Sequence, residues 1–117
     1  MSLTDEKTDL ESRIRTSDLE ILNLSPKLFE PHRILLLKSL LIAGPVDFRQ
    51  LKFGFDLSDG NLFSHLRALQ QEGYITPKKE IVDEKLRTTY ELTAKGRTEF
   101  ERFLATLGSI ARFEESR

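Results

Sequence analysis

Residues 57–75 restrict the fold more than any other stretch, because they carry a whole amphipathic helix with its start and stop signals. Leu62, Leu66 and Leu69 recur at the spacing of one helix face, while Gly60, Ser64, Arg67 and Gln71 fall on the opposite side. Ser58 is a suitable N-cap and Gly73 a suitable stop, so both ends are signalled independently of the periodicity. After Gly73 the period changes to about 2. Tyr90 and Leu92 alternate with Thr89 and Glu91, which predicts a half-buried strand paired with residues 74–81 through a loop at residues 83–86. Pro77 fits that pairing if its strand lies at a sheet edge.

The flanking segments supply the other elements. Residues 4–23 read as one or two short helices, with Thr4 and Ser17 as caps ahead of Leu10, Ile14, Leu19 and Leu22. Pro26 and Pro31 bracket a short link, after which residues 32–43 carry Ile34, Leu35, Leu36, Leu37, Leu40, Leu41 and Ile42, a pattern that predicts burial on most sides. Gly44-Pro45 ends that helix, and Val46-Asp47 is a short extended link. A second helix is predicted over residues 48–53, with Phe48 and Leu51 turned inward, Phe55 a third candidate and Gly54 the stop. Thr93 caps a last helix whose stripe of Phe100, Phe103, Leu104, Leu107, Ile110 and Ala111 outruns what a small domain can cover. The preferred reading is a dimer seam built by this helix and the N-terminal segment from Leu10, Ile14, Phe100, Phe103, Leu104, Leu107 and Ile110; the alternative is a helix folded back on its own domain. The expected division is an N-terminal helical extension (1–26), a central domain (27–93) and a C-terminal dimerisation helix (94–117).

Composition removes several function classes. The 117 residues suit one core, and zero cysteines exclude disulfides and thiolate metal sites. The sequence has no apolar run long enough to span a membrane and opens with an acidic, polar segment, so a cytoplasmic location without a membrane partner is expected. The net charge of −1 hides an asymmetry, because residues 62–97 hold seven Lys or Arg against five acids while residues 1–31 hold seven acids against four bases. No nucleophile triad, phosphate-binding glycine loop or paired-carboxylate site stands out, so an enzyme is not expected. His32 and His65 are the only histidines; a transition-metal site would need carboxylates that the spacing does not supply, so neither a metal ligand nor a cofactor is nominated.

The ordered set Pro31-His32-Arg33-Ile34-Leu35-Leu36, Asp47-Phe48 with Leu51, Leu57-Ser58-Asp59-Gly60-Asn61-Leu62 with His65-Leu66 and Leu69, Gly73-Tyr74-Ile75, Lys79, Thr88 with Tyr90 and Leu92-Thr93, and Gly96-Arg97 resembles the winged-helix transcriptional regulators of the MarR and ArsR type. It spans residues 31–97. The implied fold is α+β, mostly α: a winged helix-turn-helix with a two-to-three-stranded wing sheet and flanking N- and C-terminal dimerisation helices. The implied function is a homodimeric regulator that binds double-stranded DNA, with residues 58–72 in the major groove and the wing, residues 78–87, beside it.

On that reading Ser58, Gly60, Asn61, Ser64 and Arg67 meet DNA from the helix, and Lys78, Lys79 and Arg87 from the wing. Arg67 could grip guanine with two hydrogen bonds or neutralise a phosphate, Ser64 suits base edges, and Asn61 suits adenine or a phosphate oxygen. Gly60 either opens the helix start to a phosphate or is only a permissive turn residue. Phe63 is expected to pack on the preceding helix more readily than to touch a thymine methyl. His65 is expected to be a partly buried, hydrogen-bonded histidine. Asp83-Glu84 at the wing tip and Asp59 at the helix start would repel phosphates, and the helix dipole accounts for Asp59. The competing reading is a protein–protein interaction module on the same fold. An unknown small-molecule effector is an open partner; Leu22, Leu24, Phe29, Phe100 and Phe103 could line its cleft, but core packing is their simpler use.

Overall fold

The computed structural model describes residues 13–112, which form two compact units, one of residues 25–100 and one of residues 13–24 with 101–112. Thr4 and Leu10 lie outside the described residues.

The larger unit opens with a 3₁₀ turn (Pro26–Leu28) and helix α1 (Pro31–Ala43). Glu30 caps α1, its carboxylate accepting from the Arg33 N–H at 3.0 Å, with Pro31 in the first position, where its missing N–H is harmless. Gly44 ends the helix at φ +76°, a conformation that favours glycine. Leu36, Leu37 and Leu40 are buried, but Leu35 and Ile42 are exposed by 49% and 71%, so the expected burial on most sides is corrected. Within this unit α1 packs against β3 and α3, and Leu35 and Ile42 lie outside that packing.

Val46 and Asp47 form strand β1, and Asp47 then caps helix α2 (Phe48–Phe55). The Asp47 carboxylate accepts from the Gln50 N–H (2.8 Å) while the Gln50 side chain accepts from the Asp47 N–H (3.1 Å), a reciprocal capping box. Gly54 does not stop α2. The helix continues through Phe55 and ends at Asp56, in the left-handed region at φ 50°. Only Leu51 is fully buried; Phe48 and Phe55 are half-buried and Phe53 is exposed.

Helix α3 (Asp59–Gln71) starts and stops as predicted. The Ser58 hydroxyl accepts from the Asn61 N–H at 3.1 Å. At the other end Gly73 (φ +78°) donates to the Gln70 carbonyl and Tyr74 to the Leu69 carbonyl, the paired bonds that close a helix with a glycine. Leu62, Leu66, Ala68 and Leu69 are buried.

Strands β2 (Ile75–Val82) and β3 (Lys85–Leu92) pair antiparallel, and β1 joins the far side of β3 to give a three-stranded sheet of order β1-β3-β2. The loop is shorter than expected: Asp83 and Glu84 alone turn the chain, both at positive φ (51° and 65°). Pro77 sits opposite Tyr90 on β2, an edge strand as required.

Helix α4 (Ala94–Ala111) begins at a junction with the end of α3. Thr93 Oγ1 donates to the Gly73 carbonyl (2.6 Å) and accepts from the Gly96 N–H (2.9 Å), while the Thr93 N–H donates to the Tyr74 carbonyl (3.0 Å). Lys95 donates to the Glu72 carbonyl (2.8 Å), and its ammonium lies 5.5 Å from the Tyr74 ring centroid.

In the smaller unit the predicted short helix is a 3₁₀ helix (Thr16–Asn23). Ser17 lies inside its first turn and is not the cap; the Asp18 carboxylate accepts from the Arg15 N–H instead. The Arg15 guanidinium donates to the carbonyls of Ser109 and Arg112 at the end of α4, and Arg102 pairs with Glu20 at 3.2 Å. Phe103 here and Phe100 at the end of the larger unit are 0% and 1% exposed, so neither is free apolar surface for a seam; Ile14, Leu104 and Ile110 do stay exposed.

Candidate nucleic-acid interface

Gly60, Ser64, Arg67 and Gln71 stand on one line of α3 and all are exposed, as is Asn61 on one flank. The opposite face of the same helix is buried leucine, so the core fixes which side points outward. Ser58 is also exposed, but its hydroxyl oxygen already serves as the cap of α3. Asp59, 70% exposed in the first turn, forms an ion pair with Lys52 of α2 at 2.7 Å. That lysine, which sequence reading missed, offsets the carboxylate that would otherwise repel a phosphate. An exposed pair of this kind adds only about 0–1 kcal/mol to stability.

Phe63 and Gln70 take the other flank. Phe63 is 53% exposed, so it is not packed away on α2 as expected. It borders a cleft of about 260 Å³ lined by Phe63, Leu66, Arg67, Gln70, Gln71 and Tyr90. Burial pushes the Tyr90 phenol above its usual range.

The strand register separates Lys78, Lys79 and Arg87, the wing residues expected to meet DNA. Lys78 shares a face with Glu80 and Arg87, while Lys79 shares the other face with Ile81, Leu86 and Thr88, continuing the side that buries Ile75 and Tyr90. Arg87 is also tied to Asp47 of β1, Nε to Oδ2 at 3.7 Å. One flat surface therefore cannot use Lys78, Lys79 and Arg87 together. Lys79 is on the α3 side of the hairpin and Lys78 on the other.

His65 faces inward on the Asn61 flank and accepts from Arg33 Nε at 3.3 Å. Burial, helped by the nearby Arg33 and His32, holds its pKa below the usual histidine value against the opposing pull of Glu30. The expected half-buried, hydrogen-bonded histidine is observed. Its neighbours were not foreseen: the His32 ring stacks on it at 5.3 Å between centroids, and Glu30 approaches both imidazoles. Burial pushes the Glu30 carboxyl up, but its bonds to the Arg33 N–H and to His32 outweigh that and lower it. No sequence signal could have assembled this trio, because His65 reaches the other two only through the packing of α3 on α1.

Comparison with known proteins fits this geometry. Residues 32–111 match the family of the winged helix DNA-binding domain. A transcriptional regulator homologue from Pyrococcus horikoshii OT3 is 33% identical and superposes with a TM-score of 0.74, over 82% of this chain and 95% of that one. An uncharacterized protein of Methanocaldococcus jannaschii is 34% identical over 58 residues, 50% of this chain, and the match spans only 63% of that relative's length. Bacillus subtilis PadR, solved in complex with operator DNA, shares the fold at 20% identity with a TM-score of 0.58, over 75% of this chain and 51% of PadR. Among the described residues no helix is long and apolar enough to cross a membrane. With a family match over most of its length and a polar helix face held outward by its own core, the chain belongs to the winged helix DNA-binding domain family.

Proposed function

We propose that this chain is a sequence-specific transcriptional regulator of the MarR and ArsR type that binds double-stranded DNA in the cytoplasm as a homodimer. In this reading α3 enters the major groove and residues 78–87 lie on the backbone or in the minor groove. The observation that carries it is the outward face of α3, where Gly60, Asn61, Ser64 and Arg67 are exposed while the leucines behind them are buried. In this reading Arg67 reaches a guanine edge, Ser64 and Asn61 read neighbouring edges or hold a phosphate, and Gly60 lets the backbone approach. Lys79, on the α3 side of the wing, is in this reading the one of Lys78 and Lys79 that shares a duplex with α3. PadR, bound to operator DNA on a similar fold, supports this use of the architecture. Ile14, Leu104 and Ile110, exposed and apolar, with Leu107 beside them, are the residues proposed for the homodimer surface. Such a dimer would read half-sites about one helical turn, ~34 Å, apart.

A second reading, a protein-docking module, draws on the wing. Ile81 and Leu86 face each other across the hairpin at 77% and 69% exposure beside the acidic Asp83-Glu84 turn, a poor surface for phosphates. Titration with a random duplex pool at two salt concentrations, for the chain and its Arg67→Ala variant, separates the two. The DNA reading expects a recovered palindrome, relaxed at one position of each half by the substitution, and an affinity that falls with a slope of about −0.9 per neutralised phosphate. Weak, unselective binding that Arg67→Ala leaves unchanged would reassign the helix face to a protein.

A further inference from the structure

Glu30, His32 and His65 bring one carboxylate and two imidazoles together on the flank of α3 away from the wing, their ligand atoms all within 4.8 Å of one another. We propose that these three side chains form a site for a divalent transition-metal cation of the zinc class, which clamps the start of α1 to the middle of α3.

The hydrogen bonding around His65 carries the argument. Arg33 Nε–H donates to His65 Nδ1 at 3.3 Å, which marks that nitrogen as the one with the lone pair. The same nitrogen lies 3.4 Å from Glu30 Oε2. Two acceptors thus face each other, with the guanidinium charge alongside as their compensation. A divalent cation between them would bond to both. Metal–ligand distances of about 2.1 Å in a tetrahedral zinc site put neighbouring ligand atoms about 3.4 Å apart. The Glu30 contacts, Oε1 to His32 Nδ1 at 3.2 Å and Oε2 to His65 Nδ1 at 3.4 Å, are of that length at each of the two carboxylate oxygens. Closure onto one ion needs the two rings, now stacked at 22°, to splay so that both nitrogens converge. Arg33 would release His65 and keep its second acceptor, the Lys27 carbonyl at 3.3 Å.

The donor set selects the class of ion. Two imidazoles and a carboxylate suit zinc and its neighbours among the divalent transition metals, whereas magnesium and calcium prefer all-oxygen shells. Three protein ligands leave a fourth position for water. Because His65 precedes Leu66 and Arg67 on α3, an ion here would also set how the outward face of that helix is held. That consequence rests on the proposed DNA reading, whereas metal binding does not.

The test uses the untagged full chain, titrated with zinc chloride against a chromogenic chelator, and then with cobalt(II) for its visible absorption. One zinc per chain is expected, with a tetrahedral cobalt band. His32→Ala, at a side chain 42% exposed, should leave the circular dichroism spectrum unchanged, weaken zinc binding by about tenfold or more and abolish the band. Absence of stoichiometric zinc binding, or an affinity unchanged by His32→Ala, overturns the proposal. DNA affinity is measured separately with and without zinc, so a chain that binds zinc but no DNA refutes the DNA reading and leaves the metal site standing.

Discussion

Gly96→Ala should destabilise this protein although it places a better helix former inside a helix. A Cβ at position 96 would overlap the carbonyl oxygen of Tyr74 and lie 2.7 Å from its carbonyl carbon, and both obstacles are backbone. Relief requires the first turn of α4 to back away from the chain leaving α3. Three hydrogen bonds hold that junction: Thr93 N–H to the Tyr74 carbonyl, Thr93 Oγ1 to the Gly73 carbonyl, and Gly96 N–H to Thr93 Oγ1. At about 1 kcal/mol each their loss costs about 3 kcal/mol. The gain in helix propensity returns about 1 kcal/mol, leaving a net loss of about 2 kcal/mol. Gly108→Ala is the matched control on the same helix, because its Cβ would meet only the end of the Arg112 side chain at 3.8 Å. That variant should gain stability by up to about 1 kcal/mol. Urea unfolding followed by circular dichroism measures both; for a slope of about 2 kcal/mol per molar, Gly96→Ala lowers the midpoint by about 1 M. If Gly96→Ala matched or exceeded the wild-type midpoint, the close approach would be refuted.

Other substitutions probe the core, the wing and the helix start. Leu66→Ala, at a side chain 1% exposed, should cost about 2–5 kcal/mol in the same unfolding assay, whereas Leu35→Ala at 49% exposure should cost far less. Glu84→Gly relaxes a non-glycine residue held at φ 65° and removes a wing-tip charge. It should raise stability by up to about 1 kcal/mol and tighten DNA binding at low salt, and an unchanged affinity would show that the tip stays clear of the phosphates. Gly60→Ala meets nothing within 4 Å, so stability should hold or rise slightly. A drop in DNA affinity from that variant, measured by fluorescence anisotropy, would support close approach of its backbone to a phosphate; no change would assign Gly60 to the turn alone.

What the sequence revealed depends on whether the cause of each feature is local. The leucine face of α3, its Ser58 cap and its Gly73 stop could be read because periodicity and capping act within a few residues. The switch to alternation after Gly73 made the hairpin legible in the same way. Its turn was read too long because Asp83-Glu84 lacks the glycine or asparagine that usually marks two successive left-handed residues. Leu35 and Ile42 show the limit of apolar patterning, which reports what a helix could bury and not whether a neighbour exists to cover it. Gly96 has its reason in the Tyr74 carbonyl, and Glu30, His32 and His65 meet only after α3 has packed on α1. Lys52 likewise becomes part of the site only when α2 brings it to Asp59.

The edge of the sheet bears on how copies of this chain can associate. The outer edge of β2 carries Pro77, which has no N–H to offer, followed by Lys78, Lys79 and Glu80. The opposite edge, β1, is two residues long. A strand adding at the outer edge of β2 would therefore meet the gap that Pro77 leaves among its donors and a row of charged residues beside it.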